Sequence, residues 1–185
     1  RAPVVAEHRG DFDRPDKLLA QRFDGSGNLD GDVITIGATI AVSRRPVVAL
    51  DEQGGFAVVW EAGSTTSGSR AWKQRFDSSG TPLDLETRVT TATGTIGLPE
   101  VATDADGNFV VTWNERQRGG YLRRFNSAGV PARDPTPVAD GSPFVGADQA
   151  GNFVVVWSAD GDGSGTGIFA RRYNSAGSVL GSDIQ

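Results

Sequence analysis

Three gapless stretches of the chain copy one another: "PVVALDEQGGFAVVW" (46–60), "PEVATDADGNFVVTW" (99–113) and "PFVGADQAGNFVVVW" (143–157). In each, an aspartate (Asp51, Asp104, Asp148) stands nine residues before a tryptophan (Trp60, Trp113, Trp157). A second element occurs four times, as "LLAQRFDGSG" (18–27), "AWKQRFDSSG" (71–80), "YLRRFNSAG" (121–129) and "IFARRYNSAG" (168–177). It sets Arg22, Arg75, Arg124 and Arg172 each just before an aromatic, at spacings of 53, 49 and 48 residues. Such a period constrains the fold more than any single residue does. One short unit cannot bury its own apolar face and becomes stable only against neighbours of the same kind.

Within a period the apolar runs are short and rich in Val, Phe, Trp and Thr, and no segment carries a helical stripe. That pattern predicts strands and very little helix. D-x-x-G-[GN] and [DN]-x-[SA]-G join a side chain that caps a turn to a glycine that accepts positive φ, so each predicts a tight hairpin. The strands number about four per period: the arginine strand, a weaker one such as "DVITI" or "ETRVT", then "PVVA", then "FVVVW". Four strands in 45 to 50 residues is the size of a β-propeller blade. The expected fold class is therefore all-β and β-propeller-like, with about four four-stranded blades in one domain over residues 1–185. The repeat units are about 18–60, 71–113, 121–157 and 168–185. The last is completed by residues 2–12, whose "PVVA" resembles the strand due next, so one blade is split between the termini. Closure in cis would seal the ring, and pairing between chains would build a fibre through terminal strand complementation.

The pattern I-x-A-x-R-[FY]-[DN]-x-x-G followed by P-x-V-A-x-D-x-x-G-N-F-V-V-x-W resembles tandem repeats in large bacterial secreted and surface-anchored proteins. The resemblance covers nearly the whole chain. It implies an extracellular or cell-surface β-propeller-like module with a role in adhesion or scaffolding, and it supplies no catalytic residues.

The remaining composition bounds the chemistry. A formal charge of −5 offers no basic footprint for nucleic acid. No stretch is apolar for the ~18 residues that insertion into a membrane needs. The chain starts at Arg1 without an initiator Met or a signal peptide, as expected of a mature or excised piece. With no Cys and a single histidine, His8, it has no thiolate chemistry and no G-x-S-x-G or H-E-x-x-H motif, so no enzymatic activity is expected.

The candidate sites follow from residue type. Asp160, Asp162 and Ser164 in "DGDGSG" present oxygen ligands at alternating positions, as calcium loops do at their start. The acid that should close such a loop is replaced by Arg171 or Ile168, which leaves a weak calcium site or a hydrated turn; no other cofactor is expected. Trp72, with Arg70 and Glu61 beside the Ser/Thr/Gly loop, is the candidate ligand-binding group. Glycans bound in the inter-blade loops 61–70 and 158–167 form the lectin-like alternative to the structural or adhesive reading. Arg22, Arg75, Arg124 and Arg172 are read as structural, paired with turn carboxylates such as Asp51, Asp104 and Asp148 or with turn carbonyls. Trp60, Trp113 and Trp157 are read as blade packing. The Arg9-Gly10-Asp11 tripeptide is read as a chance occurrence.

Overall fold

The computed structural model describes residues 4–9, 17–37, 43–64, 68–91, 94–160 and 166–185. Among them there is no helix. Fourteen strands form four antiparallel sheets. The first holds β1 (Val4–Arg9), β2 (Lys17–Arg22) and β3 (Ile34–Ile36). The second is a meander of β4 (Ser43–Leu50), β5 (Phe56–Ser64), β6 (Gly68–Phe76) and β7 (Thr87–Arg88). The third repeats it with β8 (Ile96–Thr103), β9 (Phe109–Glu115), β10 (Gly119–Phe125) and β11 (Thr136–Ala139). The fourth has β12 (Phe144–Ala147), β13 (Phe153–Asp160) and β14 (Thr166–Tyr173), with Ile184 bridged to Ala170 on its outer edge. The inner strands stand side by side, β4 against β1, β8 against β4 and β12 against β8. The result is the β-propeller-like architecture expected from the repeat.

The turns form for the reason the sequence suggests. At Asp104 and Asp148 the carboxylate accepts the backbone N–H groups two and four residues on, at 2.9–3.0 Å, and also the side-chain amide of Asn108 or Asn152. Gly54, Gly107 and Gly151 close these turns at φ of 80–87°, where a side chain would be strained. The turn at Asp51 has Gly55 in place of the asparagine, and its buried Oδ1 has no hydrogen-bond partner among the described residues.

The core lies between sheets. Leu18, Ala20 and Ile36 of the first sheet pack on Phe56, Val58, Trp60 and Phe76 of the second. Ala57, Val59 and Ala71 on the opposite face of the second sheet pack on Phe109, Val111, Trp113 and Phe125. Val110, Leu122 and Val138 pack on Phe153, Val155, Trp157 and Tyr173. Each joint therefore receives a tryptophan and a cross-strand aromatic pair from the later sheet. The pairs stack at 4.6–4.9 Å: Phe56 on Phe76, Phe109 on Phe125 and Phe153 on Tyr173. Trp60 and Trp113 are fully buried, and Trp157 is 7 % exposed.

The expected split blade is corrected. β1 pairs with β2 in a register running from Val4↔Arg22 to Arg9↔Lys17. In the other sheets the partner of the arginine strand is the tryptophan strand, as Arg75↔Ala57, Arg124↔Val110 and Arg172↔Val154 show. Residues 4–9 are thus the counterpart of "AVVWEA", not of P-x-V-A, and they belong to the first sheet rather than to the sheet of residues 168–185. Pairing with the next strand in sequence closes a short loop, whereas pairing across the whole chain would cost roughly 2–3 kcal/mol more in loop closure.

Removal of Trp113, which is fully buried in the joint between the second and third sheets, is expected to cost about 3–5 kcal/mol in the Trp113→Ala variant. Urea denaturation followed by circular dichroism measures it. A loss under ~1 kcal/mol would mean that the joint does not depend on its tryptophan.

Candidate functional site

The recurrent arginines take backbone carbonyls rather than the D-x-x-G carboxylates. Arg22 donates to Ser79 O, Arg75 to Ser127 O and Arg124 to Ser175 O, in each case the turn after the arginine strand of the following sheet. Arg22 also pairs with Asp30, and Arg75 Nε lies 2.9 Å from Asp84 Oδ2, both within their own sheets. Of the two expected kinds of partner the turn carbonyls are the ones found for Arg22, Arg75 and Arg124; pairing with Asp51, Asp104 or Asp148 is not, because those carboxylates already serve as acceptors inside their own turns or face the next turn glycine. Arg172 is exposed. Two hollows lie at these joints, of about 320 Å³ beside Asp104, Arg124 and Ser175 and about 110 Å³ beside Asp51, Arg75 and Ser127.

One strand position earlier, Gln74 binds the outer edge of its own sheet, and Arg123 and Arg171 reach backwards to the preceding sheet. Gln74 Nε2 donates to Asp84 O at 3.1 Å, Arg123 Nη1 to Val89 O at 2.7 Å and Arg171 Nη1 to Val138 O at 3.3 Å. Lys73 is buried in the joint between the second and third sheets, 2.9 Å from Asp84 Oδ2 and over the rings of Phe109 and Phe125. Burial lowers its pKa, an effect that Asp84 partly offsets.

The proposed ligand group at Trp72 does not form an open site. Glu61 is 1 % exposed and engaged by Arg44 at 2.8 Å and Arg45 at 3.1 Å. Arg70 donates to Gly94 O at 2.7 Å. Trp72 packs against the first inter-sheet core. Trp72, Tyr121 and Phe169 each stand three residues before a recurrent arginine and form equivalent cross-strand pairs with Trp60, Trp113 and Trp157.

Another opening, of about 470 Å³, lies at the opposite end of the strands, between the third and fourth sheets. Trp157 and Phe169, stacked at 6.0 Å, form part of its wall, together with Asp140, Asp160, Arg118 and the Arg171–Asp183 pair. In the preceding joint the same space is taken up by Glu115, which is buried and accepts Trp113 Nε1 at 3.2 Å. In the fourth sheet the position two residues after the tryptophan is Ala159, which lines the groove. Arg171 grips Asp183 through two hydrogen bonds, Nε to Oδ1 at 2.6 Å and Nη2 to Oδ2 at 2.7 Å, with its guanidinium 5.4 Å from the Trp157 ring centroid. The hydrogen bonds from Arg171 hold the Asp183 carboxyl below the usual carboxylate range, and burial pushes Tyr173 up. Asp160 Oδ1 accepts the Thr166 hydroxyl at 2.9 Å.

Of the expected calcium ligands, Asp160 lines this groove, while Asp162 and Ser164 lie outside the described residues, as do Gly10 and Asp11 of the Arg-Gly-Asp tripeptide. Among the described residues, no group of three or more His, Cys, Asp or Glu side chains is placed to hold a metal ion. Asp140 and Asp183 were not singled out in the sequence. They stand at or beyond the outer strands of two different sheets, where no motif links them, and only the docking of those sheets makes them neighbours.

No protein-family model matches the chain. No curated protein matches it either. Solved structures do. An α-L-arabinanase of Penicillium chrysogenum complexed with arabinobiose matches with a TM-score of 0.56 and 11 % identity, over 91 % of this chain and 56 % of that one. A Bifidobacterium bifidum s17 protein named as an exo-β-1,3-galactanase matches with a TM-score of 0.52 and 13 % identity, over 90 % and 62 %. The chain thus spans somewhat over half the length of the structures it resembles. The likeness is one of fold. It nonetheless corrects two expectations, the non-catalytic structural or adhesive module and the absence of enzymatic activity. The first rested on a resemblance to scaffold repeats and the second on the lack of a nucleophile or zinc motif, whereas the structures matched are named as carbohydrate-acting enzymes.

The Arg171–Asp183 pair has a pH signature. Because the Asp183 carboxyl is lowered in the folded protein, its contribution to stability is present above the unfolded value of 3.8 and is lost as the pH falls through the folded value. A ¹³C carboxyl titration should place Asp183 below 3.8, and Arg171→Gln should move it back up towards that value. An unmoved titration would mean that the pair does not persist in solution.

Proposed function

We propose that the chain is a carbohydrate-directed β-propeller module that binds an oligosaccharide in the groove between its third and fourth sheets. The observation that carries this reading is the groove itself, an opening of about 470 Å³ walled by Trp157 and Phe169 and flanked by Asp140, Asp160 and Arg118. A sugar ring has apolar C–H faces that lie against aromatic rings and hydroxyls that bond to carboxylates and guanidinium groups. The groove offers both. It also offers two carboxylates not held in a bidentate pair, Asp140 and Asp160, the kind of groups that protonate a leaving glycosidic oxygen and activate water or attack the sugar. Hydrolysis therefore belongs to the same reading as binding. The arabinobiose held by the matched arabinanase supports the choice of ligand class, and a place outside the cell, where polysaccharide is met, goes with it.

Calorimetry with arabino-oligosaccharides and β-1,3-galacto-oligosaccharides, a glycan array and an assay of released reducing sugar test the proposal together. Arg118→Ala is expected to weaken binding about tenfold, equivalent to ~1.4 kcal/mol. Asp140→Asn and Asp160→Asn should abolish sugar release while leaving the fold intact. If no glycan binds, or if binding is indifferent to all three substitutions, this groove is not a sugar site.

A further inference from the structure

Two of the recurrent arginines carry a carboxylate from their own sheet: Arg22 pairs with Asp30, and Arg75 Nε lies 2.9 Å from Asp84 Oδ2. Arg124 holds the same place in the third sheet. Its carbonyl accepts Ala132 N at 2.9 Å, as that of Arg75 accepts Leu83 N at 2.9 Å, so the residue after Ala132 is the counterpart of Asp84. That residue is Arg133. Where the second sheet supplies an anion, the third supplies another cation. Among the described residues no carboxylate forms an ion pair with Arg124, whose side chain donates through Nη2 to Ser175 O. Its Nε, the counterpart of the Arg75 atom bonded to Asp84, makes no hydrogen bond among them. Burial and the Arg133 charge both lower the pKa of Arg124, and Asp104 partly offsets them.

This cation borders the hollow of about 320 Å³ between the third and fourth sheets. The hollow is the counterpart of the one of about 110 Å³ in the joint before, since Asp104, Arg124 and Ser175 line the larger as Asp51, Arg75 and Ser127 line the smaller. Leu83 and Thr103 in the wall of the smaller have Ala132 and Ala147 as counterparts in the larger. The larger volume reaches the lower end of the ~300–1,000 Å³ of small-molecule sites. Its polar wall also holds acceptors. The Asp104 carboxylate takes Asp106 N, Asn108 N and Asn108 Nδ2 within its own turn. Asp106 is exposed at the rim, and its carboxylate has no partner among the described residues.

We propose that this hollow binds a small hydroxylated carboxylate, of hexuronate size, whose carboxylate sits between Arg124 and Arg133 in the place that Asp84 fills in the second sheet. A guanidinium holds a carboxylate through charge-assisted hydrogen bonds, and an anion between two like charges relieves their repulsion. The hydroxyls of the ligand donate to Asp106 and accept from the side-chain amide of Asn126, which also lines the hollow and whose Oδ1 is taken by Ala128 N and Val130 N. An uncharged sugar would leave the two arginines unrelieved, and a second carboxylate would meet Asp104 and Asp106. The site therefore selects a single negative charge. It lies at the opposite end of the strands from the carbohydrate groove, so the two sites stand or fall separately.

Titration of the ¹⁵N-labelled chain with D-galacturonate tests it, followed at the arginine Nε–H and tryptophan indole N–H resonances up to about 20 mM, enough to saturate a site of millimolar Kd. The Arg124 Nε–H signal should shift saturably, and D-galactose should leave it in place. Arg133→Asp puts back the internal carboxylate at an exposed position and should weaken binding at least tenfold. Arg116→Asp makes the same change of charge at another exposed residue, in the hairpin after β9, and should bind like the wild type. Ala132→Leu, which copies Leu83 at an exposed position, serves as a second variant and should also weaken binding if Arg133→Asp misfolds. A titration that moves only the Trp157 indole signal belongs to the groove and overturns the proposal. So does an Arg124 signal that stays still or that D-galactose shifts equally, and so does a folded Arg133→Asp variant that binds no more weakly than Arg116→Asp.

Discussion

The joint between consecutive sheets is what the rest of the molecule depends on. A single three- or four-stranded sheet of this size has two faces to cover and almost no interior of its own. Its apolar residues leave water only by lying against the next sheet. The stacked pair Phe109–Phe125 and the ring of Trp113 do this for the joint between the second and third sheets, and Phe153–Tyr173 and Trp157 do it for the next. Because the second sheet packs on a neighbour at each face, the positions alternating along one strand serve two different cores: Ala57 and Val59 face forward while Phe56, Val58 and Trp60 face back.

Hydrophobic contact alone would leave two such faces free to slide. The arginines remove that freedom. Arg75 and Arg124 each bind a backbone carbonyl of the following sheet, an acceptor that no substitution can delete and whose position is set by a tight turn. Arg123 and Arg171 bind carbonyls of the preceding sheet. A guanidinium with several fixed donors can serve its own outer strand and a neighbouring sheet at once, which a lysine ammonium does less well. Lys73 shows the other solution, a buried cation neutralised by Asp84 and lying on two aromatic rings.

The candidate site follows from a local failure of this packing. In the third sheet Glu115 is buried beside its tryptophan, whereas in the fourth Trp157 and Ala159 line an opening. The groove is thus a variation on a repeated structural feature, with its aromatic wall already provided by the core and its carboxylates supplied by the rims of two sheets.

What the sequence determined by itself is the unit: the strands, the D-x-x-G turns, the buried tryptophans and the all-β, propeller-like class. These depend on contacts between residues close in the chain and on a period that can be read directly. It was legible that Arg22, Arg75 and Arg124 must have a repeated partner at a turn, a carboxylate or a carbonyl, but not which of the two or on which sheet, because backbone acceptors leave no trace in residue type. The assignment of residues 4–9 failed for a related reason. "PVVA" looks like the strand that precedes Asp51 and Asp104, and only the pairing with β2 makes it the counterpart of the tryptophan strand. The tertiary structure alone decided the groove and the burial of Glu61, since Asp140, Asp160 and Asp183 become neighbours, and Arg44 and Arg45 close on Glu61, only through strand pairing and sheet docking. Pattern in a chain records what each residue needs locally, and docking decides which distant residues meet those needs.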